Sequence, residues 1–401
     1  MKILALCAYY PPEVAASLYL LEDIFKSFIK AGHEVSVVCP TPCRGIDIAT
    51  RKYYKKHKYE TKYDGKLKIY RFNLYKEPQS VFRRFFRYYI MTWKFFFKGL
   101  FKKCDLIFAQ STPPIIGLAL SKLKFFKHTP VVYNLQDVFP DSLVSTNLTK
   151  KGSLLWRIGR VIENKTYKKS NKIVCISKEF EKNLIAKNVP IEKIVVMPNW
   201  PDIENIKTID KHKNVLYAKY NLDPSKKSVV YCGNIGYTQN IQMLSDTAKN
   251  MPDILFVVVG DGAAKDELLS LTSNLTNFVV IPFQDYNLIS EVFSLGDAGI
   301  IISKKGVGKN SVPSKTWGYM AVGKPIVASF DLDSELATII KKANAGFCSD
   351  PDDLDGFVSN IREAIYNQSI GLNGTKYIST FLNKDKLLKK YVDLIESCAN
   401  L

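Results

Sequence analysis

Apolar residues in the first half of the chain fall in short runs separated by stretches of helical spacing. Lys2–Ala8 reads as a strand, Ser17–Ala31 as a helix stopped at Gly32, and GHEVSVVCP as a second strand. Further strands are predicted at Leu67–Phe72, Asp105–Ala109, Pro130–Leu135 and Lys172–Ser177, with helical patterns around 115–126, 152–170 and 178–187. Such alternation implies a parallel sheet whose strands are buried on both faces. After MPNWPD (197–202) the series begins again with SVVYCGN, ILFVVVGDG, FVVIPF, AGIIIS and KPIVASF. The expected fold class is therefore α/β, two doubly wound Rossmann-like domains facing a cleft, at 1–200 and 201–375. The remainder, 376–401, carries apolar positions 387, 388, 391, 394 and 395 on one helical stripe, suited to packing on the second domain or to crossing back onto the first.

Length agrees with this division, because 401 residues exceed what one core usually organises. The composition, 46% hydrophobic and 24% charged, is that of a folded globular chain. Eight scattered Cys offer no CxxC pair and no Cys/His spacing for a metal, which fits reduced thiols and a cytoplasmic protein. The opening MKILALCAYYPPE, with VAAS after it, resembles a minimal signal peptide but fits better as a buried strand before a Pro-bounded loop. No run reaches the roughly 18 uncharged apolar residues that would span a bilayer.

Net charge is +19, and its distribution is lopsided. Residues 1–200 hold 36 Lys and Arg against 15 Asp and Glu, whereas residues 201–401 hold 21 against 23. The first half is thus built to meet a polyanion, either an anionic lipid surface or nucleic acid. The densest feature is FRRFFRYYIMTWKFFFKGLFKK (82–103). At helical spacing it places Phe82, Phe85, Phe86, Tyr89, Trp93, Phe96 and Leu100 on one side and Arg83, Arg87, Lys94 and Lys98 on another. Such a helix suits the headgroup layer of a membrane, with Arg83, Phe86, Arg87, Trp93, Lys94, Phe96 and Lys98 as contacts. Packing of the aromatic face into the first domain is the alternative; nucleic acid is not the expected partner, because no recognisable binding module accompanies the segment. The run RKYYKKHKYETKYDGK (51–66) shows no clean face and reads as a basic loop.

Three loops follow strands of the second half. YCGNIGYTQN (231–240) contains Gly233 and Gly236, which let a backbone approach a ligand closely. VVVGDGA (257–263) places Asp261 between Gly260 and Gly262, and KKGVGKNSVPSKTWGYMAVGKPIVAS (304–329) leads to Ser314 as a helix-cap candidate and Lys315 beside it. Together they suggest a diphosphate-containing ligand with no metal cage, since none of the three loops itself holds a carboxylate cluster or DxD pair.

These stretches, with YYPPEVAAS, STPPIIGL, VVYNLQDVFPDSLV and ISKEFEKNL, resemble glycosyltransferase family 4 in its bacterial surface-polysaccharide branch, similar to L-fucosamine transferases. The resemblance implies the GT-B fold, a nucleotide sugar as co-substrate, no cofactor and no metal, and retention of anomeric configuration. It implies a polyprenyl-diphosphate-linked saccharide as acceptor and residence on the cytoplasmic face of the plasma membrane. Carried over by residue, it places Gly233, Asn234, Gln239, Gly260, Asp261 and Ser314 at the donor, with Lys315 stabilising the leaving diphosphate and Lys305, Lys309 and Asn310 assisting. Asp137, in NLQDVFPD, would bind the donor sugar or assist the base, and Glu13 and Gln136 would touch the acceptor. The acidic pair of many family members falls here on Asn310 and Gly318, neither of them acidic. The same fold also supports a sugar-nucleotide epimerase or hydrolase, which would need no membrane.

Overall fold

In a computed structural model the chain divides into two compact units, Met1–Trp200 with Lys384–Leu401, and Pro201–Asn383. The structure describes every residue except 14–17, 79, 146–148, 205, 308–311, 400 and 401, and leaves the side chains of 81, 82 and 145 undescribed.

The first unit is built on β1 (Lys2–Leu6), β2 (Glu34–Pro40), β3 (Tyr59–Lys62), β4 (Leu67–Phe72), β5 (Leu106–Gln110), β6 (Val131–Leu135), β7 (Lys172–Cys175) and β8 (Ile194–Val196). Their order is β3-β4-β2-β1-β5-β6-β7-β8, parallel throughout except for the antiparallel β3–β4 pair. Ile3, Leu4, Ala5 and Leu6 are all within 1% of complete burial, as a central strand covered on both faces requires. Phe25 and Phe28 of the helix Leu18–Lys30 meet Phe108 of β5 edge-on, each at 5.9 Å. Pairs of this kind contribute about 0.5–1.5 kcal/mol beyond the area they bury.

The basic run at 51–66 is not a loop. Asp47 accepts a hydrogen bond from the Thr50 amide and caps the helix Ile48–Lys56, after which Tyr59–Lys62 pairs with β4 and Glu60 binds the buried Arg71 guanidinium at 2.7 Å. Local capping, the ladder on β4 and the ion pair organise a segment that has no hydrophobic face to announce it.

The final helix, Lys384–Ala399, belongs to the first unit. Leu387, Tyr391, Leu394, Ile395 and Cys398 enter its core, and the Tyr391 ring meets fully buried Trp200 at 6.2 Å. The end of the chain thereby completes the packing begun by β1.

The second unit is a six-stranded parallel sheet of β9 (Ser228–Asn234), β10 (Leu255–Asp261), β11 (Phe278–Ile281), β12 (Ala298–Ile302), β13 (Ile326–Ser329) and β14 (Gly346–Ser349). The order β11-β10-β9-β12-β13-β14 reverses between β9 and β12. Ligands of open α/β sheets bind outside the carboxyl ends of the strands at such a switch point.

Candidate active site

The loops at that edge are tied to one another by backbone hydrogen bonds. Gly233 and Asn234 end β9 in register with Gly260 and Asp261 of β10. Beyond them Ile235 N donates to Asp261 O at 2.8 Å, and Lys304 N, just after β12, donates to Thr238 O at 2.9 Å. All three loops singled out from the sequence therefore share one edge of one sheet. A Cβ on Gly260 would stand 2.0 Å from Gly233 O, so the strand ends close only because that side chain is missing.

Lys315 opens the helix Lys315–Ala321 and lies against Gly233, whose φ of +121° calls for glycine; a Cβ there would stand 3.3 Å from Lys315 Cε and Nζ. Its ammonium sits 3.7 Å from the centre of the Tyr231 ring. Among the described residues no carboxylate pairs with it. Burial pulls its pKa down to about 8, against a small opposing influence of the Cys232 thiol. The position is held from both sides. Tyr231 donates its hydroxyl to Asn234 O at 2.7 Å, while Tyr319, one turn beyond Lys315, donates to Val230 O at 2.8 Å and accepts from Cys232 N at 3.1 Å. Neither tyrosine stood out in the sequence, because each occupies an apolar position of a strand or helix. The signal was a hydroxyl-bearing ring where an aliphatic residue would have filled the space.

Other donor-side residues are placed differently from one another. Gln239 turns its Oε1 inward to the Gly236 amide at 2.9 Å, which fixes the loop. The Asn234 side chain is exposed, and Asp261 spends one oxygen on the Gly262 amide at 2.8 Å. Ser314 stands at the N-cap position, but its backbone is already helical, Pro313 O taking Thr316 N, and its hydroxyl makes no capping bond. Lys305 is paired with Asp350 and Asp352 at 3.0 and 3.2 Å, on a side chain that stays 59% exposed. Lys309 and Asn310 lie outside the described residues. Gly318 faces the Phe293 ring, 2.2 Å from where a Cβ would stand, so an acid at that position would be driven into the core. Among the described residues no group of three His, Cys, Asp or Glu could hold a metal ion.

In the first unit Asp137 follows the carboxyl end of β6. Ser111 Oγ accepts from the Gln136 and Asp137 amides at 2.9 and 3.3 Å and sets the turn. Burial raises the Asp137 pKa, partly offset by the Ser142 hydroxyl, which donates to Oδ2 at 3.1 Å. The Gln136 amide is used within the fold, donating to Asn134 Oδ1 and accepting from Asn199 Nδ2 at 2.7 Å. Glu13 does not present a carboxylate to a ligand. It is buried, and its oxygens accept from the amides of Tyr10, Cys43 and Arg44, stapling two strand-end loops together.

The helix Val81–Leu100 is rotated from the expected orientation. Arg87 is completely buried, with Nε on Tyr75 O at 3.0 Å, and Met91, Phe95 and Phe96 follow it into the core. Arg87 and Phe96 are therefore not surface contacts. Lys94 reaches back to Asn73 O at 2.6 Å, and Trp93 is half-buried beneath Lys122. The outward face instead carries Arg83, Arg84, Phe85, Phe86, Tyr89, Phe97 and Lys98. The wet-cation rule misplaces Arg87 because a guanidinium that finds carbonyl acceptors can be buried among rings. Elsewhere in the first unit a cavity of about 760 Å³ is lined by Lys124, Lys169, Lys172 and Lys193.

Two parallel-sheet units, one with glycine loops and a desolvated lysine at its switch point, are the plan of a GT-B glycosyltransferase. Residues 20–205 match Glycosyltransferase Family 4 and residues 213–377 match Glycosyl transferases group 1. The chain belongs to glycosyltransferase family 4 and is a transferase. It is 23% identical over 98% of its length, and 99% of the relative's, to the "Putative colanic acid biosynthesis glycosyl transferase WcaI" of Escherichia coli (strain K12). It is also 23% identical to the "Probable glycosyltransferase WbjE" of Pseudomonas aeruginosa, over 63% of this chain and 64% of that one. Among solved structures, Anabaena HepE in complex with UDP superposes with a TM-score of 0.71 at 17% identity, covering 99% of this chain and all of the other. WaaG, a glycosyltransferase involved in lipopolysaccharide biosynthesis, superposes at 0.66 with 14% identity, covering 98% and 99%.

Proposed function

We propose that the protein is a retaining glycosyltransferase that moves an N-acetylated or deoxy hexose from a UDP-sugar to a polyprenyl-diphosphate-linked saccharide in O-antigen or capsule-type polysaccharide assembly, without a metal ion. The observation that carries this reading is Lys315, a desolvated ammonium resting on a ring and a glycine with no carboxylate among the described residues to cancel it. A cation so placed has most to gain from an arriving diphosphate. Names of relatives point the same way, to colanic acid biosynthesis and, for a structural neighbour, to bound UDP-glucose.

In the proposed reaction the bond between the anomeric carbon and the diphosphate oxygen breaks, and Lys315 with the Gly233 loop amides takes up the charge left on that oxygen. The acceptor hydroxyl attacks the same face, and its proton passes to the departing phosphate. No second carboxylate is needed. Asp137 of the first unit orients a sugar hydroxyl. The charge excess of the first half and the exposed rings and cations of Val81–Leu100 bring the enzyme to anionic lipid, each Lys or Arg adding about 1 kcal/mol. Among the described residues no helix is long and apolar enough to cross a membrane.

The test is product mass after incubating the protein with a panel of nucleotide sugars and a lipid-linked monosaccharide, with and without EDTA. Transfer that EDTA leaves intact and Lys315→Ala abolishes is the expected result. Hydrolysis or epimerisation of the sugar nucleotide without transfer, or activity lost to EDTA, would overturn the proposal.

A further inference from the structure

At the carboxyl ends of β1, β2 and β4 three guanidiniums gather around one carboxylate. Arg44 grips Glu77 with Nε and Nη2 at 2.7 and 2.9 Å and lies 4.0 Å over the Tyr9 ring. Tyr9 and Tyr88 donate their hydroxyls to the same carboxylate at 3.2 and 2.8 Å, and Arg84 Nε stands 3.5 Å from it. Beneath them the buried Arg87 has one nitrogen, Nη1, without a partner among the described residues. Hydrogen bonds from Arg44 and Tyr88 more than offset the effect of burial and hold the Glu77 pKa at about 2, so the carboxylate stays charged and still leaves the cluster net positive.

The cluster exceeds what a tie between loops requires. Arg44 uses two of its five donors on Glu77, and its side chain remains 41% exposed; that of Arg84 remains 44% exposed. Two forks with donors to spare, pre-organised by a buried carboxylate and by Glu13, which accepts from the Arg44 amide, match the bidentate geometry of phosphate oxygens. Directly beside Arg84, Phe85, Phe86 and Tyr89 stand exposed on one face of the helix. A cationic head site next to an apolar track fits an amphiphile with a diphosphate head and a hydrocarbon tail.

We propose that Arg44 and Arg84 form the subsite for the diphosphate of a prenyl-diphosphate-linked acceptor, whose chain lies along Phe85, Phe86 and Tyr89. This rests on the transferase reading above, and it assigns the acceptor-side role to residues other than Glu13 and Gln136. Glu13 becomes a positioning residue for the Arg44 loop.

Equilibrium binding to the full chain tests it with three probes: farnesyl diphosphate, farnesol and inorganic pyrophosphate, each with and without saturating UDP. Farnesyl diphosphate is expected to bind more tightly than either half-probe, and UDP is expected to leave that binding intact. Arg44→Gln and Arg84→Gln are each expected to weaken it about tenfold, the effect of one charge-assisted hydrogen-bond set. Phe86→Ser is expected to weaken farnesyl diphosphate but not pyrophosphate. Should Arg44→Gln loosen the loops, Arg84→Gln still decides, because it leaves the Arg44–Glu77 pair in place. Wild-type affinity in Arg84→Gln, or displacement of the probe by UDP, overturns the subsite. Sugar transfer to a lipid-linked acceptor together with unchanged Arg84→Gln binding sinks the subsite alone. Intact, arginine-dependent binding with no transfer from any nucleotide sugar sinks the transferase reading alone.

Discussion

Lys315 rests its ammonium 3.7 Å from the centre of the Tyr231 ring, in the place where a salt-bridge partner would have cancelled its charge. A fall in pKa from 10.5 to about 8 corresponds to about 3 kcal/mol of strain on the charged form, of which the ring returns up to about 2 kcal/mol. Lys315→Met is therefore expected to stabilise the protein at pH 7 by about 1 kcal/mol while abolishing UDP binding. The folded pKa lies below the unfolded one, so the penalty is full below pH 8 and relieved between pH 8 and 10.5. Thermal unfolding with and without UDP checks both halves.

Nucleotide affinity should follow the same proton. As pH rises through about 8 the free enzyme loses the ammonium, and the dissociation constant for UDP is expected to climb about tenfold per unit above that point. Calorimetry across that range measures it. A flat profile, or the same slope in Lys315→Ala, would remove Lys315 from the diphosphate site.

Gly260→Ala should fail structurally. Its Cβ would stand 2.0 Å from Gly233 O, and the obstacle is backbone, which cannot swing aside. A loss of about 2–3 kcal/mol is expected, measured by denaturant unfolding, with the donor loops disturbed first.

Asp137→Asn keeps shape and the Ser142 bond but removes the charge. A fall in kcat of at least about a hundredfold at unchanged unfolding temperature is expected if the carboxylate acts on substrate. Full activity would reduce Asp137 to an anchor for Ser142.

On the Val81–Leu100 helix the outward set and the inward set predict opposite phenotypes. Phe86→Ser with Lys98→Glu should leave folding intact and weaken co-sedimentation with anionic liposomes at low salt, whereas Phe96→Ser and Arg87→Ala should destabilise the first unit. Equal retention of the outward variant on the liposomes would argue against this face as the lipid contact.

The central strands of both sheets were legible in the sequence because strands buried on two faces leave continuous apolar runs, and the glycine loops followed because they punctuate those runs; the short edge strands Tyr59–Lys62, Ile194–Val196 and Gly346–Ser349, mostly not buried, leave no such run. What stayed hidden depended on partners distant in the chain. Arg87 read as wet until Tyr75 supplied a carbonyl, Glu13 read as ligand-facing until three amides claimed it, and Lys305 read as free until Asp350 and Asp352 came alongside. Tyr231 and Tyr319 looked like filler, since a pattern of apolar positions does not register a phenol oxygen. The segment at 51–66 was misread because its order comes from the Asp47 cap, the ladder of Tyr59–Lys62 on β4, Arg51 on the Pro42 and Leu74 carbonyls and Glu60 on Arg71, none of which leaves an apolar period.

Because Tyr391 and Ile395 sit in the core that surrounds Trp200, the first unit draws a core helix from residues that follow the whole of the second unit in the chain. Loss of Leu387, Tyr391 or Ile395 would accordingly be felt in the first unit's sheet, far from those residues in the chain, and not in the second unit that precedes them.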